Sequence, residues 1–428
     1  MARVHLHTLG CRLNLAETEN IARTLRLAGH EIVDDAVIAD LRVINTCTVT
    51  KAAGDDSRRA ARRLHPDQKV AVTGCHSELH PGEFAAADVV AGNGAKEDFA
   101  ALLLEKFGRE GLALGMDARR ERHDRIYPLA LGNTRAFVKI QDGCDMRCSF
   151  CLTTVARGMS RSRAPDEIVA EIDALHRQGC MEAVLTGVHA GSYGLDRGLD
   201  LGLLVDHILT RTGIHRLRLS SLEPWNFRDD WLDLWSRHAG RLCRHLHMSL
   251  QSGSDTVLAR MRRRYDAETF LEKVRLVKGV PGMAVTTDLI AGFPGETEDE
   301  HRRTLDVVRE AAFAGAHVFA FSRRPGTEAA TMPDQIPSPV RARRAREIKA
   351  GVAISEAAFR RAAIGGDAVV LWERMGAHDS APPGLTDNYL QVVACGFTPA
   401  PNQMSRVLLM REGPGGIEAA LPPSASEF

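Results

Sequence analysis

Short apolar runs alternate with stretches of helical periodicity through the amino-terminal part of the chain. Such runs are typical of buried strands, and the stretches between them predict helices. The first helix is predicted to begin at Asn14, with Glu17 three residues later as a variant of the capping box. Alternating strands and helices predict a parallel sheet. The predicted strands lie at residues 4–9, 41–44, 69–73 and 88–91.

The same alternation continues through the central part of the chain, where helical patterns separate six strand-like runs. Helices are expected at 165–178, beginning at Pro165, and at 298–314. Six βα units predict a partial TIM-like barrel, whose chemistry would lie at the carboxyl ends of its strands. The predicted strands lie at residues 136–140, 183–185, 217–220, 245–250, 284–290 and 317–321.

The pattern changes at two places. Residues 99–127 are charged and irregular, which predicts a linker. After an Arg- and Ala-rich helix at 341–361, Gly- and Pro-rich turns separate short strand-like runs, which predicts a small antiparallel β-barrel. These runs lie at 368–372, 389–393 and 405–410. The chain is therefore predicted to be an α/β protein with three domains, at 1–120, 130–360 and 361–424.

Composition narrows the class of protein. Of the 428 residues, 44% are hydrophobic and 26% are charged, as in an ordinary globular protein. Lysine plus arginine equals aspartate plus glutamate, so a globally basic nucleic-acid binder is not indicated. The sequence has no run of about 18 apolar residues and no secretory leader, which predicts a cytoplasmic protein away from membranes. Nine cysteines in such a chain favour metal or redox chemistry over disulfides.

Three cysteines stand close together at Cys144, Cys148 and Cys151. Their C-x₃-C-x₂-C spacing can bind three irons of a four-iron cluster, whose full ligation by protein needs four cysteines. The iron left open can bind a small molecule, as the open position of a catalytic zinc site does. A zinc knuckle or a ferredoxin-like site is the alternative. Zinc needs a fourth Cys or His, and none follows at the usual spacing.

A second set of cysteines, Cys11, Cys47 and Cys75, is spread along the sequence, but each residue follows a predicted strand. The carboxyl ends of neighbouring parallel strands meet at one edge of a sheet, where ligands bind. The three thiols are therefore expected to converge into a second metal site. The alternative is three structural cysteines, because free cysteine is often simply a small core residue.

Both sets of cysteines resemble a known family. The loop at 143–151, with Phe150 before its last cysteine, resembles the cluster-binding loop of radical S-adenosylmethionine (SAM) enzymes. Residues 8–14, 45–50 and 72–75 resemble the amino-terminal domain of the methylthiotransferases within that family. The resemblance implies SAM and two [4Fe–4S] clusters. The first cluster would reduce SAM to a radical, and the auxiliary cluster, on the scattered cysteines, would deliver sulfur.

Polar residues and glycines follow the predicted strands of the central barrel, where glycine lets backbone groups approach a ligand closely. The resemblance implies that Phe150 lies beside the adenine of SAM. It further implies SAM contacts at Thr186, Gly187, Ser221, Glu223, Gln251, Asp288 and Gly292. Ordinary turn chemistry is the alternative for each of them.

Substrate contacts are predicted in two places. A guanidinium at Arg157, Arg161 or Arg163 could bind a carboxylate or phosphate bidentately. Residues 386–389 resemble the RNA-binding β-barrel, or TRAM domain, of these enzymes. Tyr389 could stack on a base there, as Trp372 could, although both residues could equally be core.

The resemblance is strongest to the threonylcarbamoyladenosine group. It implies methylthiolation at C2 of that modified adenosine beside the tRNA anticodon, with SAM as radical source and methyl donor. The implied partners are the anticodon stem-loop of tRNA, a reductant such as flavodoxin or ferredoxin, and a sulfur donor. Alternative substrates are isopentenyladenosine in tRNA and an aspartate of a ribosomal protein. A two-cluster electron-transfer protein and a zinc-containing RNA-binding protein are the rivals from other classes.

Overall fold

A computed structural model describes residues 2–107, 133–376, 379 and 381–422. The chain divides into two compact units. The first comprises Met1–Gly179, Leu185–Asp200 and Ser322–Ala330, and the second comprises Cys180–Val184, Leu201–Phe321 and Thr331–Phe428. The predicted domain limits, 1–120, 130–360 and 361–424, stay a prediction.

Strands and helices alternate along the described residues. The strands are β1 (Arg3–Thr8), β2 (Glu31–Ile32), β3 (Leu41–Thr46), β4 (Lys69–Gly74), β5 (Val89–Val90), β6 (Arg135–Lys139), β7 (Gln141–Asp142), β8 (Arg161–Ser162), β9 (Glu182–Thr186), β10 (Arg216–Leu219), β11 (Ser221–Leu222), β12 (His245–Met248), β13 (Ala284–Ala291), β14 (Gly315–Ala320), β15 (Asp367–Trp372), β16 (Pro383–Thr386), β17 (Gln391–Ala394), β18 (Met404–Gly413) and β19 (Gly416–Ala420). The helices are α1 (Arg12–Leu27), α2 (Lys51–Ala60), α3 (Cys75–Leu79), α4 (Phe99–Phe107), α5 (Thr153–Arg157), α6 (Pro165–Arg177), α7 (Leu201–Arg211), α8 (Asp233–Arg237), α9 (Asp255–Arg260), α10 (Ala267–Lys278), α11 (Glu298–Ala311) and α12 (Ser338–Ala363). No helix within the described ranges has the length and apolar content needed to cross a membrane.

The first unit contains a five-stranded sheet in the order β2-β1-β3-β4-β5, and every neighbouring pair in it is parallel. The predicted parallel sheet is therefore confirmed, and β2 is an addition to it. All six residues of β3 are buried, because the strand is central and covered on both faces. Val4, Val43 and Ala71 from three adjacent strands lie in one apolar core.

Two predictions for this unit are wrong. Helix α1 begins at Arg12 after Cys11, and no side chain caps it. Asn14 is already inside the helix, where its amide donates to the carbonyls of Leu9 and Thr46, so Glu17 closes no capping box. The predicted linker begins with helix α4, whose apolar residues Phe99, Ala100 and Leu103 complete the core. The rest of the predicted linker, up to 127, lies outside the described residues.

In the second unit, β11-β12-β13-β14 form a parallel sheet in that order. Helix α11 begins with a complete capping box between Thr297 and Glu300, which satisfies two backbone donors. The strands predicted for the central part of the chain are all present, as β6, β9, β10, β12, β13 and β14. The predicted class, an α/β chain with parallel strands in its central part, is confirmed.

The carboxyl-terminal segment folds as a closed barrel in the order β15-β16-β17-β19-β18. The predicted barrel is confirmed with one correction, because β17 and β19 are parallel while the other described pairs are antiparallel. Trp372 is fully buried in the barrel core, so it is a core residue. Tyr389 precedes β17 in a turn, with φ of 69°.

Candidate functional site

The loop that carries Cys144, Cys148 and Cys151 is closed by its own backbone. The Cys144 amide donates to the Gly158 carbonyl at 3.0 Å, and the Cys151 amide donates to the Cys148 carbonyl at 3.1 Å. Gly143 opens the loop with φ of 71°, and a Cβ there would lie 1.9 Å from the Met159 carbonyl oxygen. Only glycine fits this position, because both the dihedral angle and the close backbone contact exclude a side chain.

The three thiols of this loop are half-buried, whereas Cys180 and Cys243 elsewhere in the chain are buried. The Thr153 amide lies 3.3 Å from Cys151 Sγ, and His189 Nδ1 lies 3.9 Å from Cys144 Sγ. Hydrogen bonds to ligating sulfurs set the properties of iron–sulfur clusters. Three accessible thiols with a backbone donor aimed at one of them fit such a cluster.

The other three cysteines stand at the ends of three adjacent strands. Cys11 follows β1, Cys47 follows β3 and Cys75 follows β4, so the expected convergence at one sheet edge is found. Burial, together with smaller contributions from charges on Cys11 and Cys75, raises the pKa of the Cys47 thiol to about 11. The three thiols are thus within electrostatic range of one another. A Cβ on Gly10 would lie 2.5 Å from Cys47 Sγ, so glycine is required beside this thiol.

Cys75 is surrounded by donors. Arg157 Nε donates to Cys75 Sγ at 3.3 Å, and Asn93 Nδ2 does so at 3.6 Å. Cys11 is exposed as a residue, but the protein atoms around its sulfur raise its pKa by desolvation, and the Arg157 charge opposes that rise. Cationic donors near the sulfurs favour the thiolate, which is the form that binds metal.

The guanidinium of Arg157, a predicted substrate contact, is occupied by protein partners in this structure. Its guanidinium donates to both Glu17 carboxylate oxygens at 2.8 and 3.1 Å, to Asp142 at 2.9 Å and to the Asn14 side chain at 2.7 Å. With the bond to Cys75, all of its donor nitrogens are engaged inside the protein. Arg157 therefore joins the helix after one cysteine loop to Cys75 of the other cysteine set.

Glu17 is the acidic centre of this network. It also forms an ion pair with Lys96, and both side chains are buried. Burial alone would raise the pKa of Glu17, but Lys96 and Arg157 lower it to about 2. The sequence suggested Glu17 only as a helix cap. Its charge instead neutralises Arg157 beside the cysteines.

The other two predicted arginines differ from each other. Arg163 forms an ion pair with Glu171 at 2.7 Å and donates to the Lys139 carbonyl, so its charge is already compensated. Arg161 is exposed on β8 and has no ion-pair partner in the part of the chain that the structure describes. Of the three, Arg161 is the one left available for a substrate.

Sequence reasoning missed Arg324. It follows β14, and its Nη2 donates to the Thr48 hydroxyl at 2.7 Å, next to Cys47. Functional residues of such barrels lie at the carboxyl ends of the strands, and the sequence pointed to the loops after the earlier strands. The loop after the sixth strand also lies at a carboxyl end, and the arginine pair at 323 and 324 was the signal that could have identified it.

The remaining predicted SAM contacts fall into both units. In the first unit Thr186 is buried, Phe150 is half-buried, and a Cβ on Gly187 would lie 2.8 Å from Gln141 Oε1. The others, Ser221, Glu223, Gln251, Asp288 and Gly292, belong to the second unit.

In the second unit, Gln251 has φ of 65°, and its amide donates to the Asp288 carbonyl at 2.8 Å. Gly292 donates to Glu296 Oε2 at 2.8 Å, and Glu223 is ion-paired with Arg263. A backbone hydrogen bond thus joins Gln251 to Asp288 on the neighbouring strand, and Gln251 has a left-handed conformation although it is not glycine. Such strain is typical of ligand sites.

Tyr389 is packed inside the second unit. Its ring stacks on His245 with centroids 4.4 Å apart, and the Arg218 guanidinium lies 5.0 Å from its centroid. Stacking of Tyr389 on an RNA base stays a prediction, and this internal packing uses part of the ring.

Each of the two donor sets suits a four-iron cluster by its number of cysteines. Among the described residues, no three His, Cys, Asp or Glu side chains are placed to hold one metal ion. Each site offers three cysteines, which suits a cluster with one open iron.

In sequence comparisons, two different family models match the parts of the chain that contain the two cysteine sets. The Radical SAM superfamily matches residues 138–308, and the Uncharacterized protein family UPF0004 matches residues 3–92. The Threonylcarbamoyladenosine tRNA methylthiotransferase MtaB of Bacillus subtilis is 36% identical, covering 96% of this chain and 95% of that protein. The tRNA-2-methylthio-N(6)-dimethylallyladenosine synthase of Acidothermus cellulolyticus is 38% identical, covering 78% and 70%.

A similar fold occurs in a solved structure, the radical SAM methyltransferase TsrM from Kitasatospora setae, with a tryptophan substrate and a SAM analogue bound. Its TM-score is 0.55 at 18% identity, covering 77% of this chain and 75% of that one. The fold and the three-cysteine loop together define a radical SAM enzyme. The chain belongs to the methylthiotransferase family of these enzymes. The predicted family and enzyme class are confirmed, and membership implies SAM and [4Fe–4S] clusters as cofactors.

Proposed function

We propose that this enzyme adds a methylthio group to C2 of threonylcarbamoyladenosine in tRNA. The observation that carries the proposal is similarity along the whole chain to relatives named for that activity. The Bacillus subtilis relative covers 96% of this chain, and a Thermotoga maritima relative of the same name covers 87% at 34% identity. Methylthiolation of tRNA is common to these relatives and to the dimethylallyladenosine synthases, so the modified adenosine is the finer part of the proposal.

The two cysteine sets have separate tasks in this proposal. Cys144, Cys148 and Cys151 hold the cluster that reduces SAM, and Cys11, Cys47 and Cys75 hold the auxiliary cluster. When bound, the two clusters supply an electron for SAM cleavage and a platform for sulfur delivery. The half-buried positions of the first set support access by SAM, and the donors around Cys75 support a thiolate there.

The chain's own residues orient these groups. Gly143 and the Cys144–Gly158 hydrogen bond hold the first loop closed, so its thiols project from a fixed backbone. Glu17 fixes the Arg157 guanidinium, which then presents Nε to Cys75. A rigid support of this kind is needed because small displacements of reacting groups reduce rates strongly. The predicted SAM contacts, from Phe150 to Gly292, stay part of this proposal.

The proposal includes partners. Substrate RNA is the anticodon stem-loop of tRNA, and the carboxyl-terminal barrel is its RNA-binding domain. A reductant such as flavodoxin or ferredoxin supplies electrons, and a separate donor replaces the transferred sulfur. We place the reaction in the cytoplasm, where tRNA is modified.

A second candidate substrate is isopentenyladenosine in tRNA. The observation that favours it is the 38% identity to dimethylallyladenosine synthases, which slightly exceeds the 36% identity to the Bacillus subtilis relative. Coverage of this chain is 78% for the Acidothermus cellulolyticus synthase and 88% for one from Desulfitobacterium hafniense, however, against 96% for the Bacillus subtilis threonylcarbamoyladenosine enzyme. The greater extent of similarity favours the first candidate.

Mass spectrometry of tRNA nucleosides tests the substrate directly. Cells that lack the gene are compared with the same cells carrying a plasmid copy, or a Cys148→Ala copy as an inactive control. We expect 2-methylthio-threonylcarbamoyladenosine to disappear, its unthiolated precursor to accumulate, and only the active copy to restore it. Loss of the isopentenyl derivative alone would establish the second candidate. An unchanged nucleoside profile would reject both.

A further inference from the structure

One loop of the first unit touches both sets of cysteines. This loop, Ser322–Ala330, is called the cross-loop here. The Ala329 amide donates at 2.8 Å to the carbonyl of Ser149, which lies between Cys148 and Cys151. At its other end, Arg324 donates at 2.7 Å to the hydroxyl of Thr48, which follows Cys47. A substrate that reacts at both cysteine sets must therefore lie close to the cross-loop.

Arg324 is buried and has one donor nitrogen without a partner among the described residues. Its side chain is buried, with 8% exposure, and its Nε has no hydrogen-bond partner anywhere in the described ranges. The Cys47 thiolate and the carboxylates of Asp55 and Glu83 act on it electrostatically, but none of them accepts a hydrogen bond from Nε, and both carboxylates are ion-paired with Arg58. A buried guanidinium with an unused donor is costly, so Nε calls for an acceptor that the described residues do not supply.

Arg157 is the informative contrast. It is also buried, with 5% exposure, and lies beside a cysteine, yet it forms ion pairs with Glu17 and Asp142. Two buried arginines therefore lie near the same cysteine set. Arg157 is ion-paired with carboxylates, whereas Arg324 has an unpartnered Nε among the described residues. Burial lowers the pKa of Arg324 but leaves it a cation, because guanidinium stays protonated in proteins.

We infer that Arg324 binds an oxyanion of the RNA substrate beside the auxiliary cysteines. The guanidinium fork matches carboxylates and phosphates, and Nε is the donor that such an anion would occupy. Two groups of the RNA have this chemistry, namely the carboxylate of the threonylcarbamoyl group and a phosphate flanking the modified adenosine. The inference rests on the proposed function, because it takes the substrate to be RNA.

The test is a set of dissociation constants measured with the reconstituted enzyme. The probes are three synthetic anticodon stem-loops that carry threonylcarbamoyladenosine. The first is fully charged, the second has its carboxylate blocked as a methyl ester, and the third has neutral methylphosphonates on both sides of the modified adenosine. Each is titrated against the wild type, Arg324→Gln, Arg324→Lys and Arg177→Gln. Arg177 is a matched control, because it is an exposed arginine in the same unit.

We expect the wild type to bind one neutralised stem-loop about tenfold more weakly than the charged one. Arg324→Gln should bind the charged stem-loop about tenfold more weakly than the wild type. It should also lose the discrimination that the wild type shows. The neutral probe that the wild type rejects identifies the anion as carboxylate or phosphate. Arg324→Lys keeps the positive charge but lacks the guanidinium fork, so its dissociation constant for the charged stem-loop should lie between those of the wild type and Arg324→Gln. Arg177→Gln should match the wild type.

Other results would overturn the inference. If Arg324→Gln binds the charged stem-loop as tightly as the wild type, or keeps full discrimination, Arg324 does not contact the RNA. A changed spectrum of the auxiliary cluster with unchanged RNA binding would instead make Arg324 its counter-charge. Iron content, measured in every variant, identifies folding failures. If the wild type itself binds these stem-loops no better than an unrelated RNA, the proposed function fails as well, which separates the two outcomes.

Discussion

Each cysteine site supplies three thiols, but one site is formed by a single loop and the other by residues far apart in sequence. Cys144, Cys148 and Cys151 lie in one short loop that its own backbone hydrogen bonds close. Cys11, Cys47 and Cys75 come from three strand ends, and their surroundings include residues as distant as Arg157. The local site depends on the conformation of one loop. The assembled site depends on the whole sheet and on a buried ion-pair network.

This contrast explains how the two sites differ in vulnerability. A local loop can fail while the sheet around it stays intact, because the backbone hydrogen bonds that close it lie within residues 144–158. The assembled site has no such independence, since moving any one strand end separates its thiols. We therefore expect substitutions in the loop to abolish one function cleanly, and substitutions in the network to cost stability as well.

The largest expected effects come from two glycines. Gly143→Ala should remove the first cluster and SAM cleavage, because its Cβ would lie 1.9 Å from a backbone oxygen. Gly10→Ala should remove the auxiliary cluster, because its Cβ would lie 2.5 Å from Cys47 Sγ. Iron content and 5′-deoxyadenosine formation measure both.

Gly158→Ala is the matched control for those two variants. Gly158 also has positive φ, but a Cβ there meets no atom within 4 Å. It should keep both clusters and lose about 1 to 3 kcal/mol of stability, because its φ of 72° and ψ of −158° form a conformation that is favourable only for glycine. If Gly143→Ala kept its full iron content, the close backbone contact would not control the loop.

The next effect concerns the network beside the assembled site. Arg157→Met should reduce the free energy of unfolding by about 3 kcal/mol, because it removes one of the two close cations and two hydrogen bonds from the buried Glu17 carboxylate. Urea unfolding measures the loss. Adding Glu17→Gln and Lys96→Met together to Arg157→Met should recover part of it, since these buried charges are then gone. Arg177→Met, at an exposed ion pair, should lose no more than about 1 kcal/mol.

The network also predicts a pH dependence. Lys96 and Arg157 overcome burial and lower the pKa of Glu17 from 4.5 to about 2, so its contribution to stability is complete above pH 4.5. That contribution amounts to about 3 kcal/mol and is lost as the pH falls towards 2. Urea midpoints of the wild type and Glu17→Gln should therefore differ clearly at neutral pH and converge in acid. A difference that stayed constant down to pH 3 would contradict the ion-pair account.

The smallest expected effect is at Asn93. Its amide donates to the Ala156 carbonyl at 2.7 Å and approaches Cys75 Sγ at 3.6 Å. Asn93→Ala should cost about 1 kcal/mol, the usual value for one hydrogen bond, and should leave both clusters in place. Thermal unfolding and iron content check this. Loss of the auxiliary cluster in this variant would mean that Asn93 is essential for holding it.

The sequence predicted most of the strands because short apolar runs between turns have few other solutions. It also predicted both cysteine sets, the first from spacing and the second from the rule that parallel strand ends meet. It was wrong about helix boundaries, because Asn14 looks like a cap until its amide is seen bonded to Leu9 and Thr46. It was wrong about α4, whose charged neighbours masked its three core residues.

The arginines show where sequence reasoning stops. Arg157, Arg161 and Arg163 looked equivalent, but the structure compensates two of them and leaves the third exposed. Which partner an arginine meets depends on contacts more than a hundred residues away, as between Arg157 and Glu17. Arg324 and Thr48 are more distant still in sequence. No local pattern encodes such pairs.

The most direct measurement is iron analysis of three reconstituted proteins, the wild type, Cys148→Ala and Cys47→Ala, together with their rates of SAM cleavage. Two four-iron clusters predict about eight irons in the wild type and about four in each variant. Cys47→Ala should still cleave SAM, and Cys148→Ala should not. A Cys47→Ala protein with the full iron content, or one that had lost SAM cleavage as well, would contradict two sites with separate tasks.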